Sequence, residues 1–205
     1  MRNRAPATHP TAHRRRRAYR VPTVLLLVAA TDRELCGHDG LVCGVGPVEA
    51  AAATARALAL HPVETLLHVG IAGARGLRPG SLVVGIEAVY VDLAARWPVV
   101  DRVEPDGRLV AAAQGSLPEA AALPISTSAA VGVTSDTVSL GPLVEGMEGF
   151  GVLRAAALAG VPAVEVRAVS NELGEEDRSK WDVPAALDAL EAGLPALLSA
   201  LERVG

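Results

Sequence analysis

Only five of the 205 residues are aromatic: Tyr19, Tyr90, Trp97, Phe150 and Trp181. So few rings leave little for stacking on the bases of a nucleic-acid strand. Cysteine is also scarce. Cys36 and Cys43 cannot form a metal cluster by themselves, and a reduced, cytoplasmic compartment is the simpler reading of their number. No uninterrupted apolar run reaches the roughly 18 residues of a membrane helix. Positive charge is missing from most of the chain. Residues 1–20 hold seven Arg and no acid, and the rest carries 12 basic against 23 acidic residues, a formal net charge of −11. An acidic body argues against nucleic acid as the main partner, because phosphate contacts need a basic face. The Arg-rich start keeps some capacity for weak polyanion binding.

What is present is a packed core. Half the residues are hydrophobic, with Ala, Val and Leu dominant, and the length suits one α/β domain. The start "RRRRAYRVPTVLLLVAA" imitates a signal peptide. The competing reading takes residues 1–20 as a disordered arm, or as a translation start placed too far upstream, before a first buried strand. The strand is preferred, because "TDREL" follows it like the start of a site and cleavage would remove a central strand.

Beyond residue 20, short apolar runs alternate with Ala-rich helical segments, the pattern of a parallel or mixed sheet covered by helices. "TVLLLVA" (23–29) reads as a strand buried on both faces, and "LVCGVG" (41–46) as a second. "PVEAAAATARALAL" opens on Pro47 as a helix does. "TLLHVGIAGARG" and "SLVVGIEAVYVDL" (81–93) read as strands, and "GRLVAAAQGSL" as a helix. "ISTSAAVGVTS" reads as a short strand leading to a polar loop. "PLVEGMEGFGVLRAAALAG" is expected to be one helix closed by Gly160, followed by the strand "AVEVRAVS". The last helix is "VPAALDALEAGLPALLSALERV", with a bend near Pro195.

Three places set polar groups where such a fold wants apolar ones. Glu34 follows the first strand, and ligands of open α/β sheets gather at strand carboxyl ends; a solvated acid at a helix start is the plainer alternative. Glu145 and Glu148 flank Met147 in "VEGMEGFGV". A carboxylate accepts from two hydroxyls together, which suits the cis-diol of a ribose, whereas a solvent-facing helical stripe is the plainer reading. Gly149 and Gly151 beside Glu148 suggest close approach. In "AVEVRAVSN", alternation puts Glu165, Arg167, Val169 and Asn171 on one face. Buried Glu165 and Arg167 must be paired, with each other or through Glu145 or Glu148. Asn171 either closes the strand by a local turn or points into a pocket.

Together "LLHVGIAGARGLRPGSLVV", "VEGMEGF" and "VRAVSNELGEEDRSKW" resemble the nucleosidase branch of the purine-nucleoside phosphorylase superfamily, and within it the futalosine hydrolases of the menaquinone route. The resemblance runs from about Val21 to the C-terminus. Met147-Glu148 followed by Ser170-Asn171, in this order and separation, is its specific part. It implies a single-domain, three-layer α/β fold over 21–205, a central mixed sheet flanked by helices, in a homo-oligomer (dimer or tetramer). It implies that Glu34 activates the attacking water, that Glu148 binds the ribose hydroxyls with Met147 against the sugar, and that Asn171 faces the base. Ile71, Ala72, Gly73 and Ser170 would line the pocket. Val138 would stand where related nucleosidases place an aromatic ring over the base, with Phe150 or Trp181 as substitutes.

The adenosine-type nucleosidases of this family carry Asp where Asn171 stands. An Asn amide offers N–H donors, which suit the 6-oxo group and N7 of a hypoxanthine-like base, and mispairing a buried polar group costs about 1–3 kcal/mol. Futalosine carries hypoxanthine. The implied reaction is hydrolysis of its N-glycosidic bond, without metal or organic cofactor. Arg33 and Arg75 are the candidates for its 5′ aryl carboxylate. The rivals are a methylthioadenosine or adenosylhomocysteine nucleosidase and a purine-nucleoside phosphorylase. Glu34 disfavours the last, since a carboxylate repels phosphate.

Overall fold

The computed structural model describes residues 25–93, 95–130 and 143–204. The Arg-rich arm and Val138 lie outside them. Eight strands and four α-helices follow one another as β1 (Leu25–Ala29), β2 (Leu41–Val42), α1 (Pro47–Leu60), β3 (Thr65–Ala74), β4 (Leu82–Tyr90), β5 (Arg102–Val103), α2 (Gly107–Ser116), β6 (Ala121–Thr127), β7 (Val144–Gly146), α3 (Gly149–Ala159), β8 (Ala163–Glu172) and α4 (Val183–Glu202).

The sheet is mixed, as expected. β1 pairs in parallel with β2 and β3, β3 with β8, and β6 with both β4 and β7. β3–β7, β4–β8 and β4–β5 are antiparallel. Five of these strands, β3, β8, β4, β6 and β7, close on one another. This closure was not anticipated from the sequence; it hides edges that β3 and β6 would otherwise expose.

Helices cover both sides. α2 and α4 set Leu109, Ala113, Leu190, Leu194, Leu197 and Leu201 against Leu67, Val69, Val164 and Val166. α1 and α3 set Ala50, Ala57, Val152, Leu153 and Ala156 against Leu26, Val28, Leu66 and Ala163. By length and composition α4 could cross a membrane. Its leucine stripe is instead buried on the sheet, and burying each such side chain stabilises by roughly 1.5–3 kcal/mol. Asp106 and Asp182 cap α2 and α4 by accepting from backbone N–H groups, worth about 1 kcal/mol apiece. Gly160 closes α3 at φ 70°, a left-handed torsion that glycine adopts without strain.

Three expectations change. Residues 144–146 form a strand, not the first turn of a helix. Gly146 is a poor helix former, while Val144 and Glu145 find ladder partners in Ala74 and Gly73. The strand expected at "ISTSAAVGVTS" begins earlier, at Ala121, and takes in Pro124 where the β4–β6 register slips, a place that tolerates a missing N–H. "LVCGVG" pairs over Leu41–Val42 only.

The shift in β8 matters most. His68, Gly70 and Ala72 pair with Glu165, Arg167 and Val169, but Gly73 pairs with Asn171. The extra residue, Ser170, is a bulge, and a bulge re-aims the side chains beyond it. Asn171 therefore leaves the Glu165–Arg167 face on which alternation had placed it.

Candidate active site

At the carboxyl ends of β1, β3 and β8 lies a cavity of about 390 Å³. Glu34, Ile71, Ala72, Gly73, Met147, Glu148, Ser170 and Asn171 all line it. The structure thus gathers every expected site residue that it describes. Glu34, Glu148 and Asn171 come from β1's end, the start of α3 and β8, yet each is under a tenth exposed.

Their free hydrogen-bonding capacity follows from counting partners. Glu34 Oε2 accepts from Thr31 N (2.9 Å) and Thr31 Oγ1 (2.7 Å), and Oε1 accepts from Ile71 N (3.0 Å). A carboxylate has about four acceptor positions, so one remains, on Oε1. Glu148 Oε1 accepts from Gly46 N (3.1 Å) and Oε2 from Arg167 Nη1 (3.2 Å). One position remains on each oxygen, the arrangement two adjacent hydroxyls require.

Arg167 organises this corner. It is fully buried and donates from Nε to Glu165 Oε1 (2.7 Å) and from Nη1 to Glu148 Oε2 and the Ile71 carbonyl (3.3 Å). Nη2 meets His68 Nε2 at 2.6 Å. His68 Nδ1 faces the Val28 carbonyl at 3.1 Å, which can only accept. The proton therefore sits on Nδ1 and Nε2 accepts from Arg167. The ring is neutral: burial, and then the Arg167 charge, push its pKa well below the usual histidine value. Burial opposes the guanidinium charge too, but Glu165 and Glu148 outweigh it and raise its pKa. Glu165 shifts upward because desolvation exceeds the pull of Arg167, and its Oε2 has no partner among the described residues. Of the pairings open from the sequence, Arg167 makes two, with Glu165 and Glu148.

Asn171 is also fixed. Its Nδ2 donates to the Glu172 carbonyl (3.0 Å), and its Oδ1 accepts from Ser170 Oγ (2.6 Å). The Glu172 carbonyl can only accept, so the amide orientation is determined. One N–H and one lone pair remain. The expectation that both N–H groups serve the base does not hold in this geometry.

Among residues the sequence reading passed over, Thr31 clamps Glu34, and His68 carries no outward sign in an apolar strand. Glu145 lines the cavity half-buried, not on a solvent-facing stripe. Burial, then Asp92, raise its pKa to about 7. Trp181 lines the cavity too; its Nε1 donates to the Glu175 carbonyl, and Arg178 lies 5.3 Å from its ring centre. Phe150 instead stacks on Tyr90. Of the two arginines considered, Arg33 lines the cavity and Arg75 is not among its lining residues.

Residues 40–204 match the phosphorylase superfamily. Futalosine hydrolase of Streptomyces coelicolor is 37% identical over 191 residues, covering 81% of this chain and 80% of that protein. The structure of a futalosine hydrolase mutant of Helicobacter pylori aligns with a TM-score of 0.76 at 19% identity, over 87% of this chain and 98% of that one. A Streptococcus pyogenes S-adenosylhomocysteine nucleosidase in complex with 5-methylthiotubericidin aligns at 0.75 and 21% identity, over 88% and 97%. At such identities the two structures establish the fold alone. A buried pair of clamped acids, an oriented amide and the sequence similarity converge, and the chain belongs to the futalosine hydrolase family of the phosphorylase superfamily.

Proposed function

We propose that this enzyme hydrolyses the N-glycosidic bond of futalosine and releases hypoxanthine, in the cytoplasm, as a step of menaquinone biosynthesis by the futalosine route. The observation that carries the reading is the unused bonding capacity of Glu34 and Glu148 inside one cavity. Glu34 has a single acceptor position left, suited to one water. Glu148 has one on each oxygen, suited to the 2′ and 3′ hydroxyls.

In this mechanism Glu34 takes a proton from water as its oxygen attacks C1′. The C1′–N9 bond breaks, its electron pair leaves with the base, and the sugar passes through an oxocarbenium-like state. The base takes a proton from a solvent water while Glu34 returns its own to solvent. Glu148 fixes the ribose, and its charge lowers the energy of the developing cation. Met147 packs on the sugar. Ile71, Ala72, Gly73 and Ser170 shape the base site, and Asn171 donates one hydrogen bond to the departing base. Arg33 and Arg178 supply cations for the 5′ aryl carboxylate, and Trp181 a ring beside it. Assembly as a dimer or tetramer belongs to the same reading; exposed Val42, Val45 and Val48, the second of which lines the cavity, support it.

The test is direct. The protein is incubated with futalosine, inosine and methylthioadenosine in phosphate-free buffer, and the free base is identified by chromatography. Hypoxanthine from futalosine is expected. Turnover that depends on phosphate would make the enzyme a phosphorylase, and faster adenine release from methylthioadenosine would favour the other nucleosidase class.

A further inference from the structure

We propose that Glu145 is a specificity-determining residue that reads the pyrimidine edge of the bound base, its carboxylate accepting the N1–H of a 6-oxopurine. The proposal rests on the nucleosidase reading above and names what that reading leaves open. Asn171 keeps a single free N–H, enough for O6 or N7 but not for the rest of the purine edge. Hypoxanthine also presents an N1–H donor, which needs an acceptor once water is excluded.

Glu145 is placed to be that acceptor. Gly73 pairs with Glu145 on one side and with Asn171 on the other. Directly paired residues share a sheet face, so the carboxylate and the amide flank Gly73 on the same face. Neighbouring strands lie about 4.8 Å apart, which sets the two backbones roughly 10 Å from each other. Gly73 has no side chain to fill the gap, and a methyl group there would press on Asn171 Nδ2. A flat heterocycle lying over Gly73 would meet the amide at one edge and the carboxylate at the other.

The surroundings leave Glu145 unengaged. Its carboxylate makes no hydrogen bond among the described residues. Ser126, its partner across β6, gives its hydroxyl to the Val144 carbonyl (2.9 Å). Asp92, the nearby acid, is occupied with Ser128 Oγ and Ala129 N. The upward shift to about 7 that burial and Asp92 impose is what a carboxylate shows while it lacks its donor. Adenine would give it none at N1, where it carries a bare acceptor. The residue therefore rejects adenine in its ionised form and accepts hypoxanthine.

The experiment compares wild type, Glu145→Leu and Glu145→Gln on futalosine and on the otherwise identical nucleoside bearing adenine, with calorimetric binding of free hypoxanthine and adenine. Losing the acceptor should lower kcat/KM for futalosine and hypoxanthine affinity by about 10–100-fold in Glu145→Leu. Turnover of the adenine nucleoside should hold or rise, because the rejecting carboxylate is gone, and Glu145→Gln, which keeps an oxygen acceptor, should recover part of the futalosine loss. Equal changes on both substrates, or none on either, would show a structural role and overturn the proposal. So would a wild type that does not prefer hypoxanthine. A wild type that binds hypoxanthine through Glu145 yet releases none from futalosine would sink the hydrolase reading and leave this one standing.

Discussion

Replacing Arg167 by methionine would keep most of the side chain's volume and delete its charge. Glu165 and Glu148 would lose the cation they share, and His68 and the Ile71 carbonyl would each lose a donor. Breaking a buried pair from one side leaves an uncompensated charge and costs about 3–5 kcal/mol. At roughly 2–4 °C of Tm per kcal/mol for a chain of this size, calorimetry should show a fall of about 6–20 °C. The loss has a pH signature. Glu165 already favours its proton through burial, and without Arg167 its folded pKa rises further above the unfolded value. Stability then increases as pH falls, so Arg167→Met should be less damaging at pH 5 than at pH 8. Arg167→Lys keeps the charge but not the fork of donors, and should fall between. Removing both charges in Arg167→Met/Glu165→Leu should recover most of the stability, because well-packed apolar replacements of buried pairs are often neutral. Activity should not recover, since Glu148 would still lack the donor that holds it. A single variant within about 1 kcal/mol of wild type, or a double variant no more stable than the single, would refute the claim that Arg167 neutralises this corner.

Glu34→Gln keeps an oxygen for the two Thr31 donors but turns its NH2 toward Ile71 N–H and cannot take a proton; kcat on futalosine should fall about 10²–10⁴-fold, read by hypoxanthine release. Asn171→Asp sets a carboxylate oxygen against the Glu172 carbonyl, which accepts from Nδ2 in the native protein. It should cost about 10–100-fold on futalosine and shift preference toward adenine nucleosides, checked by competing the two substrates in one tube. Glu145, with a pKa of about 7, gives a pH dependence of its own. Its acceptor form dominates above that value, so kcat/KM for futalosine should rise through about pH 7 while the adenine nucleoside shows no such rise. Asp92 is the charge that raises it, and Arg33, Glu34, Glu148, Glu175 and Arg178 share the cavity. Glu145→Leu should abolish that rise, and one that persists in the variant belongs to another of these groups.

The residues that carry chemistry were legible because their cost is visible locally. A carboxylate after a buried strand, a second beside two glycines and an amide ending "AVEVRAVSN" all stand out against apolar neighbours, and all three reach the cavity. What could not be read was the geometry that several elements set together. Residues 144–146 look helical by themselves; only β3 and β6 on either side make them a strand. His68 looks like one more buried residue of a core strand until Arg167 is known to point at it.

The bulge at Ser170 shows why that second kind of information decides the site. One extra residue in β8 turns Asn171 away from the face where Arg167 holds Glu165 and Glu148, and toward Gly73 and Glu145. Without it the amide would project among the charges and offer its donors to carboxylates instead of a base. The proposed chemistry needs two environments at adjoining strand ends: one in which Arg167 holds Glu148 beside the sugar, the other in which Asn171 and the unengaged Glu145 recognise the purine. Strict strand alternation would merge them. A one-residue register slip keeps them apart while leaving both within reach of a single nucleoside.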